Sequence, residues 1–206
     1  VQRIVATMLK RKTYLQSINM QNKNTALPKI LITATVTLVI FGLLFWQHLH
    51  GGVPSHHILQ RADFPEISNW WGGLLLPVLT WLALGRIEKR LNKQVLSMQT
   101  IDNQNIKILG RFFLGITLGL LIAVSFTNDY QLFLDNVPFV LLLLSLLIPI
   151  YYSEFMLGFI LGMSYTFGAF LPTVFILIFA GLGYLVFRFI RPLILRVFTG
   201  KPFLTL

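Results

Sequence analysis

The stretch FMLGFILGMSYTFGAFLPTVFILIFAGLGYLVF, residues 155–187, holds no charged side chain between Glu154 and Arg188. As one helix it would run about 50 Å, against a bilayer hydrocarbon core of about 30 Å. Leu171-Pro172 is its most visible break and divides it into two apolar segments, 154–170 and 172–190. Two crossings also return Arg188, Arg191, Arg196 and Lys201 to the face that carries the other basic clusters. A single tilted span would put them on the far side, against the preference of Lys and Arg for the cytoplasmic face. The alternative for this stretch is a re-entrant element, tolerated only where protein or water covers its backbone.

Four more apolar blocks precede it, at 28–49, 68–87, 106–126 and 134–151. Pro28 stands where a proline opens a helix. The exit from the first block reads Phe45-Trp46-Gln47-His48 rather than Ala-x-Ala, so it is expected to be an uncleaved span and not a signal peptide. Ser68 occupies an N-cap position for the second block. The polar stretch 88–105 reads as a solvated loop, and Asn128, Asp129, Asp135 and Asn136 as a short acidic loop broken by Pro138. The expected fold is therefore all-α: a polytopic membrane helix bundle of about six transmembrane helices over 28–190. A basic cytoplasmic leader, 1–27, precedes it and a basic cytoplasmic tail, 191–206, follows.

Composition agrees. Of 206 residues 55% are hydrophobic and 12% charged, where a soluble domain has about 25% charged residues; mean hydropathy is +0.73. The net charge of +10 and pI near 10.2 do not point to nucleic acid, because the charges flank apolar blocks instead of forming one patch. Every Lys and Arg except Arg61 falls in the leader, in the 88–107 region or at the C-terminus, counted with their flanks. Asp63, Glu66, Asp129 and Asp135 fall on the other face. That asymmetry predicts both termini in the cytoplasm of a bacterial-type inner (plasma) membrane. The expected partners are the lipid bilayer and anionic lipid headgroups at the cytoplasmic face, with no nucleic acid. Trp46, Trp70 and Trp71 share the outer interface, and Trp81 is expected deep in the second span. With no cysteine, disulfides, thiolate metal sites, Fe–S clusters and a Cys nucleophile are excluded. No P-loop or Rossmann glycine run occurs.

Chemistry concentrates in the first outer loop. All four histidines, His48, His50, His56 and His57, lie there, followed by Asp63 and Glu66. Imidazoles with a nearby carboxylate can hold Zn or Cu, and Gly51-Gly52 lets the two histidine pairs fold together. The competing explanation is interfacial structure, since neither His-Glu-x-x-His nor His-x-x-x-His occurs. The cluster could equally sense pH. Asn69 is a candidate polar donor beneath the loop, or an ordinary early-helix residue. Ser68 lacks the Gly-x-Ser-x-Gly context of a nucleophile. Glu154, beside the apolar core, is either a proton or cation relay or a boundary residue reaching the interface. Gly115-x-x-x-Gly119 and Gly158-x-x-x-Gly162 have the spacing that lets helix backbones approach.

Three functions follow. The first is binding or transport of a metal ion or small polar solute through the outer histidine/carboxylate loop, with Asn69, Thr80 and Glu154 converging on one cavity in the transport case. The second is a membrane-embedded enzyme acting on a lipid or lipid-linked substrate. The third is a structural or accessory subunit.

Overall fold

The computed structural model describes residues 27–53, 55–57, 66–96 and 102–199. Helix α1, Leu27–Leu49, leads into a two-stranded antiparallel ribbon, β1 (Ser55–His57) and β2 (Glu66–Ser68). Helices α2 (Trp70–Leu96), α3 (Asp102–Thr127), α4 (Gln131–Leu147), α5 (Ser153–Phe167) and α6 (Phe170–Leu185) follow. A π-helical turn, Val186–Ile190, joins α6 to α7, Arg191–Thr199. Among the described residues the protein is thus all-helical apart from one short ribbon. Four of its helical segments, Leu27–Leu49, Trp70–Lys93, Gln104–Thr127 and Phe170–Val197, are long and apolar enough to cross a membrane.

The shortest of the bundle helices is its centre. α5 has 15 residues, about 22 Å of helix, and ten of those positions are buried, with Phe155 and Phe159 fully enclosed. Around it the outward faces of the other helices carry large apolar side chains in the open, among them Leu38, Val39, Phe139, Leu143 and Leu177. An apolar exterior around an apolar core is the pattern lipid permits and water does not.

The two glycine motifs meet each other. A side chain at Gly115 would collide with the Phe155 carbonyl, and one at Gly158 with the Phe112 carbonyl. A Cβ at Gly119 would lie 3.1 Å from the Gly162 Cα. Small residues four apart on both helices bring the backbones into direct contact. Partners ascend together along the two chains, so α3 and α5 run parallel. At one end Phe126 meets Phe167, ring centroids 4.6 Å apart; at the other Arg111 meets Glu154 at 3.1 Å. The chain must therefore travel back the full depth of this seam between α3 and α5, and α4 is the segment that does so.

α1 runs antiparallel to α2. Lys29 Nζ lies 4.0 Å from the Trp81 ring centroid, a Cβ at Gly73 would touch Leu44 at 3.2 Å, and His48 meets Trp70 edge-on at 6.2 Å. α6 returns beside α5, with Tyr184 against Tyr151 at 5.2 Å. These contacts define two ends. All Lys and Arg among the described residues, from Lys29 through Arg86–Lys93, Lys107 and Arg111 to Arg188–Arg196, lie at one, the basic end. Asp129, Glu66 and the ribbon lie at the other, the ribbon end.

Several boundaries differ from the sequence expectations. The last apolar stretch turns at Gly168-Ala169, where Gly168 has φ 66, and not at Leu171-Pro172. Pro172 falls in the first turn of α6, where its missing N–H is not needed. The expected loop 88–105 is largely helix: α2 continues to Leu96 and α3 begins at Asp102. Charged residues ended the apolar run without ending the helix, since Lys, Arg, Glu and Gln are good helix formers. Asp135, Asn136 and Pro138 lie inside α4, which starts at Gln131 and ends at Leu147 rather than Tyr151. Trp81 lies midway along the Trp70–Lys93 segment, with the Lys29 ammonium reaching over its ring. The tail begins as helix α7. The leader up to residue 26 lies outside the described residues.

Candidate functional site

At the ribbon end, α1 closes on Gly51 and Gly52, with φ 117 and 97, values that favour glycine. The turn lets the Gly52 and His50 N–H groups donate to the Gln47 carbonyl at 3.0 and 3.1 Å. The His50 ring stacks on Trp46 with centroids 4.6 Å apart, and its Nδ1 lies 2.9 Å from the Trp46 carbonyl. A carbonyl only accepts, so Nδ1 carries the hydrogen and a neutral ring keeps its Nε2 lone pair for a ligand.

The ribbon then pairs the strand of the second histidine pair with the strand that begins at Glu66. Its register sets Ser55 opposite Ser68, His56 opposite Ile67 and His57 opposite Glu66. The Ser55 hydroxyl donates to Glu66 Oε2 at 3.0 Å. The Ser68 hydroxyl accepts the Trp70 N–H at 3.4 Å, a weak form of the expected cap. Asp63 lies outside the described residues, as do the side chains of His56 and His57. Among the described residues, no three His or carboxylate groups stand close enough to hold a metal.

Beneath the loop are two buried amides. Ile40, Leu44 and Gln47 follow the i, i+4, i+7 spacing of one helical face, and all three are buried. The contact of His48 with Trp70 sets Gln47 level with Asn69, which is itself only 7% exposed. A Cβ at Gly168 would strike Asn69 Oδ1, so the bare α5–α6 turn is what admits that amide. Gln47 Oε1 is buried and has no hydrogen-bond partner.

The basic end is arranged differently. Glu154, 1% exposed, receives Arg90 on one carboxylate oxygen at 2.7 Å and Arg111 on the other at 3.1 Å. Both guanidinium groups also lie over the Tyr152 ring, 4.2 and 4.6 Å from its centroid. The result is an Arg–Glu–Arg triad joining α2, α3 and α5. Tyr151, in the α4–α5 connection, has its phenol pushed above the ordinary value, first by burial and then by Tyr152. Glu154 and Asn69 therefore sit at opposite ends. Thr80, fully buried with an unpartnered hydroxyl, lies on α2 between them, so the three do not share one cavity. Three other buried hydroxyls are bound locally: Ser164 donates to Ile160 O, Thr173 to Ala169 O and Ser145 to Leu142 O.

No protein-family model matches this chain, and neither does any curated protein or solved structure. Function must come from these two ends. Sequence reasoning singled out Glu154 and Asn69 but missed Gln47, Arg90 and Arg111. The signal for Gln47 was available in its place on the Ile40–Leu44 face.

Proposed function

We propose that this chain is a membrane-embedded binding protein that holds a metal ion or a small cationic solute at its ribbon end. Gln47 and Asn69 form the floor of that site, and His48, His50, His56, His57, Asp63 and Glu66 supply the ligands above it. In this proposal all six helices α1–α6 cross an inner membrane, with both termini cytoplasmic and the ribbon end outside. The sorting of described Lys and Arg to one end supports that orientation. The parallel α3–α5 seam supports a complete return by α4, although α4 and α5 have only 17 and 15 residues.

The observation that carries the proposal is the unpartnered Gln47 Oε1. A buried acceptor without a donor costs about 1–3 kcal/mol, and a leucine would continue the Ile40–Leu44 face without that cost. The same ribbon end carries the Glu66 carboxylate and the His48 and His50 rings, groups that accept hydrogen bonds in their anionic or neutral forms. An acceptor-lined site calls for a cation or a donor-bearing solute, and histidine with carboxylate suits Zn or Cu. Binding is favoured over transport by the dry packing below, where Leu44, Leu76, Phe155 and Phe159 are almost wholly enclosed. Glu154, held by two arginines, then serves as a clamp between helices.

Thermal melting of the detergent-purified chain against Zn²⁺, Cu²⁺ and small amines tests this directly. One probe is expected to raise the Tm of the parent. Gln47→Leu and the His56→Ala/His57→Ala double variant should weaken that probe's affinity at least about ten-fold, a loss of about 1.4 kcal/mol. A parent that no probe stabilises, or variants that respond as the parent does, would overturn the proposal.

A further inference from the structure

A lateral groove of about 60 Å³ opens between α2 and α6, with α5 as its floor. Leu79, Leu82 and Arg86 line it from α2, Met156 and Ile160 from α5, and Leu177 from α6. The α2 residues are spaced i, i+3 and i+7, and so lie along one face of that helix. The groove runs from mid-depth at Ile160 to the basic end at Ser153, about 10 Å along α5.

Its unbound polarity is confined to the mouth. The Ser153 hydroxyl donates to the Ala83 carbonyl at 3.3 Å and the Thr173 hydroxyl to Ala169 O at 2.6 Å, so both are bound within the protein. Arg86 is exposed and makes no ion pair among the described residues. One turn further along α2, Arg90 belongs to a triad of two cations and one anion, which adds net positive charge to the same rim. An apolar trough that ends in an unneutralised guanidinium matches a molecule with a chain at one end and an anion at the other.

We infer that this groove is a site for one anionic phospholipid, with its phosphate on Arg86 and one acyl chain against Leu82, Met156 and Leu177. The site rests on membrane embedding alone and is independent of the ribbon-end ligand. Guanidinium groups recognise phosphate by paired N–H donors as well as by charge, so this contact goes beyond general attraction to an anionic leaflet. A lipid held there would fill a cleft that α2 and α6 leave open over α5.

Native mass spectrometry of the full chain, released from an uncharged detergent, gives the test. Phosphatidylglycerol and phosphatidylcholine of matched chains are titrated in parallel, with glycerol phosphate as a chainless competitor. One phosphatidylglycerol is expected to be retained in preference to phosphatidylcholine, and glycerol phosphate should not displace it. Arg86→Gln should weaken phosphatidylglycerol retention about five-fold, the worth of one interfacial cation, and phosphatidylcholine retention less, because choline offsets the charge of its phosphate. Leu177→Trp, at an exposed position that does not burden the core, should weaken both lipids. Equal retention of the two lipids by the parent, undiminished phosphatidylglycerol on Arg86→Gln, or displacement by glycerol phosphate would each overturn the assignment.

Discussion

The two ends of this bundle bury polar groups under opposite rules. At the basic end Glu154 has a guanidinium on each oxygen, and Tyr152 supports both cations from below. At the ribbon end Gln47 Oε1 is also buried and has no donor. A buried charge that is fully paired contributes rigidity, and removing one partner exposes the cost of burying the others. A buried acceptor with nothing to accept from is a standing cost that a ligand can relieve. Satisfaction thus distinguishes a structural cluster from a binding site better than residue type does, since acidic and amide groups occur at both ends.

Three substitutions would break or sharpen that contrast. The largest effect is expected from Gly158→Leu, which drives a side chain into the Phe112 carbonyl. It separates α3 from α5 and should remove cooperative melting by circular dichroism, taking both ends with it. A variant with a parental melt would mean that the seam does not hold the ends in place. Glu154→Ala should come next, destabilising by about 3 kcal/mol because Arg90 and Arg111 lose their shared anion. Its ribbon-end ligand affinity should stay within two-fold of the parent by roughly the additivity of distant sites. If affinity falls with stability, the ends are coupled and the contrast is one of degree. The smallest effect has the opposite sign: Gln47→Leu should stabilise the unliganded chain by about 1 kcal/mol, read as a higher Tm. A Tm lower than the parent's would show that the amide oxygen is already satisfied.

Hydropathy made the helical segments legible, because each is an apolar run bounded by charge or glycine. It misplaced their ends where charge and helix part company. Glu88–Leu96 and Asp102–Asn105 are polar yet helical, and a rule tuned to lipid has no term for helix that extends beyond it. The last turn was misread because proline is a conspicuous breaker, whereas the chain uses Gly168, whose positive φ leaves no mark in composition. Glu154 was legible as an anomaly, but its partners stand 64 and 43 residues away, beyond any local pattern. The Gly115 and Gly158 motifs were visible as packing surfaces, and only the fold shows that each is the other's partner. The ribbon escaped notice because strands of three residues are too short to show alternation.

The parallel seam also bears on how the chain is made. Its two faces belong to helices separated by a complete intervening segment, so α3 leaves the ribosome with its glycine face open and stays that way until α5 arrives. No contact of the seam can form until α5 emerges, and the last, at Gly162, waits for its second half. Helices α3, α4 and α5 therefore mature as one cohort, and a chain halted after α4 would present the Gly115–Gly119 face to whatever else shares its membrane.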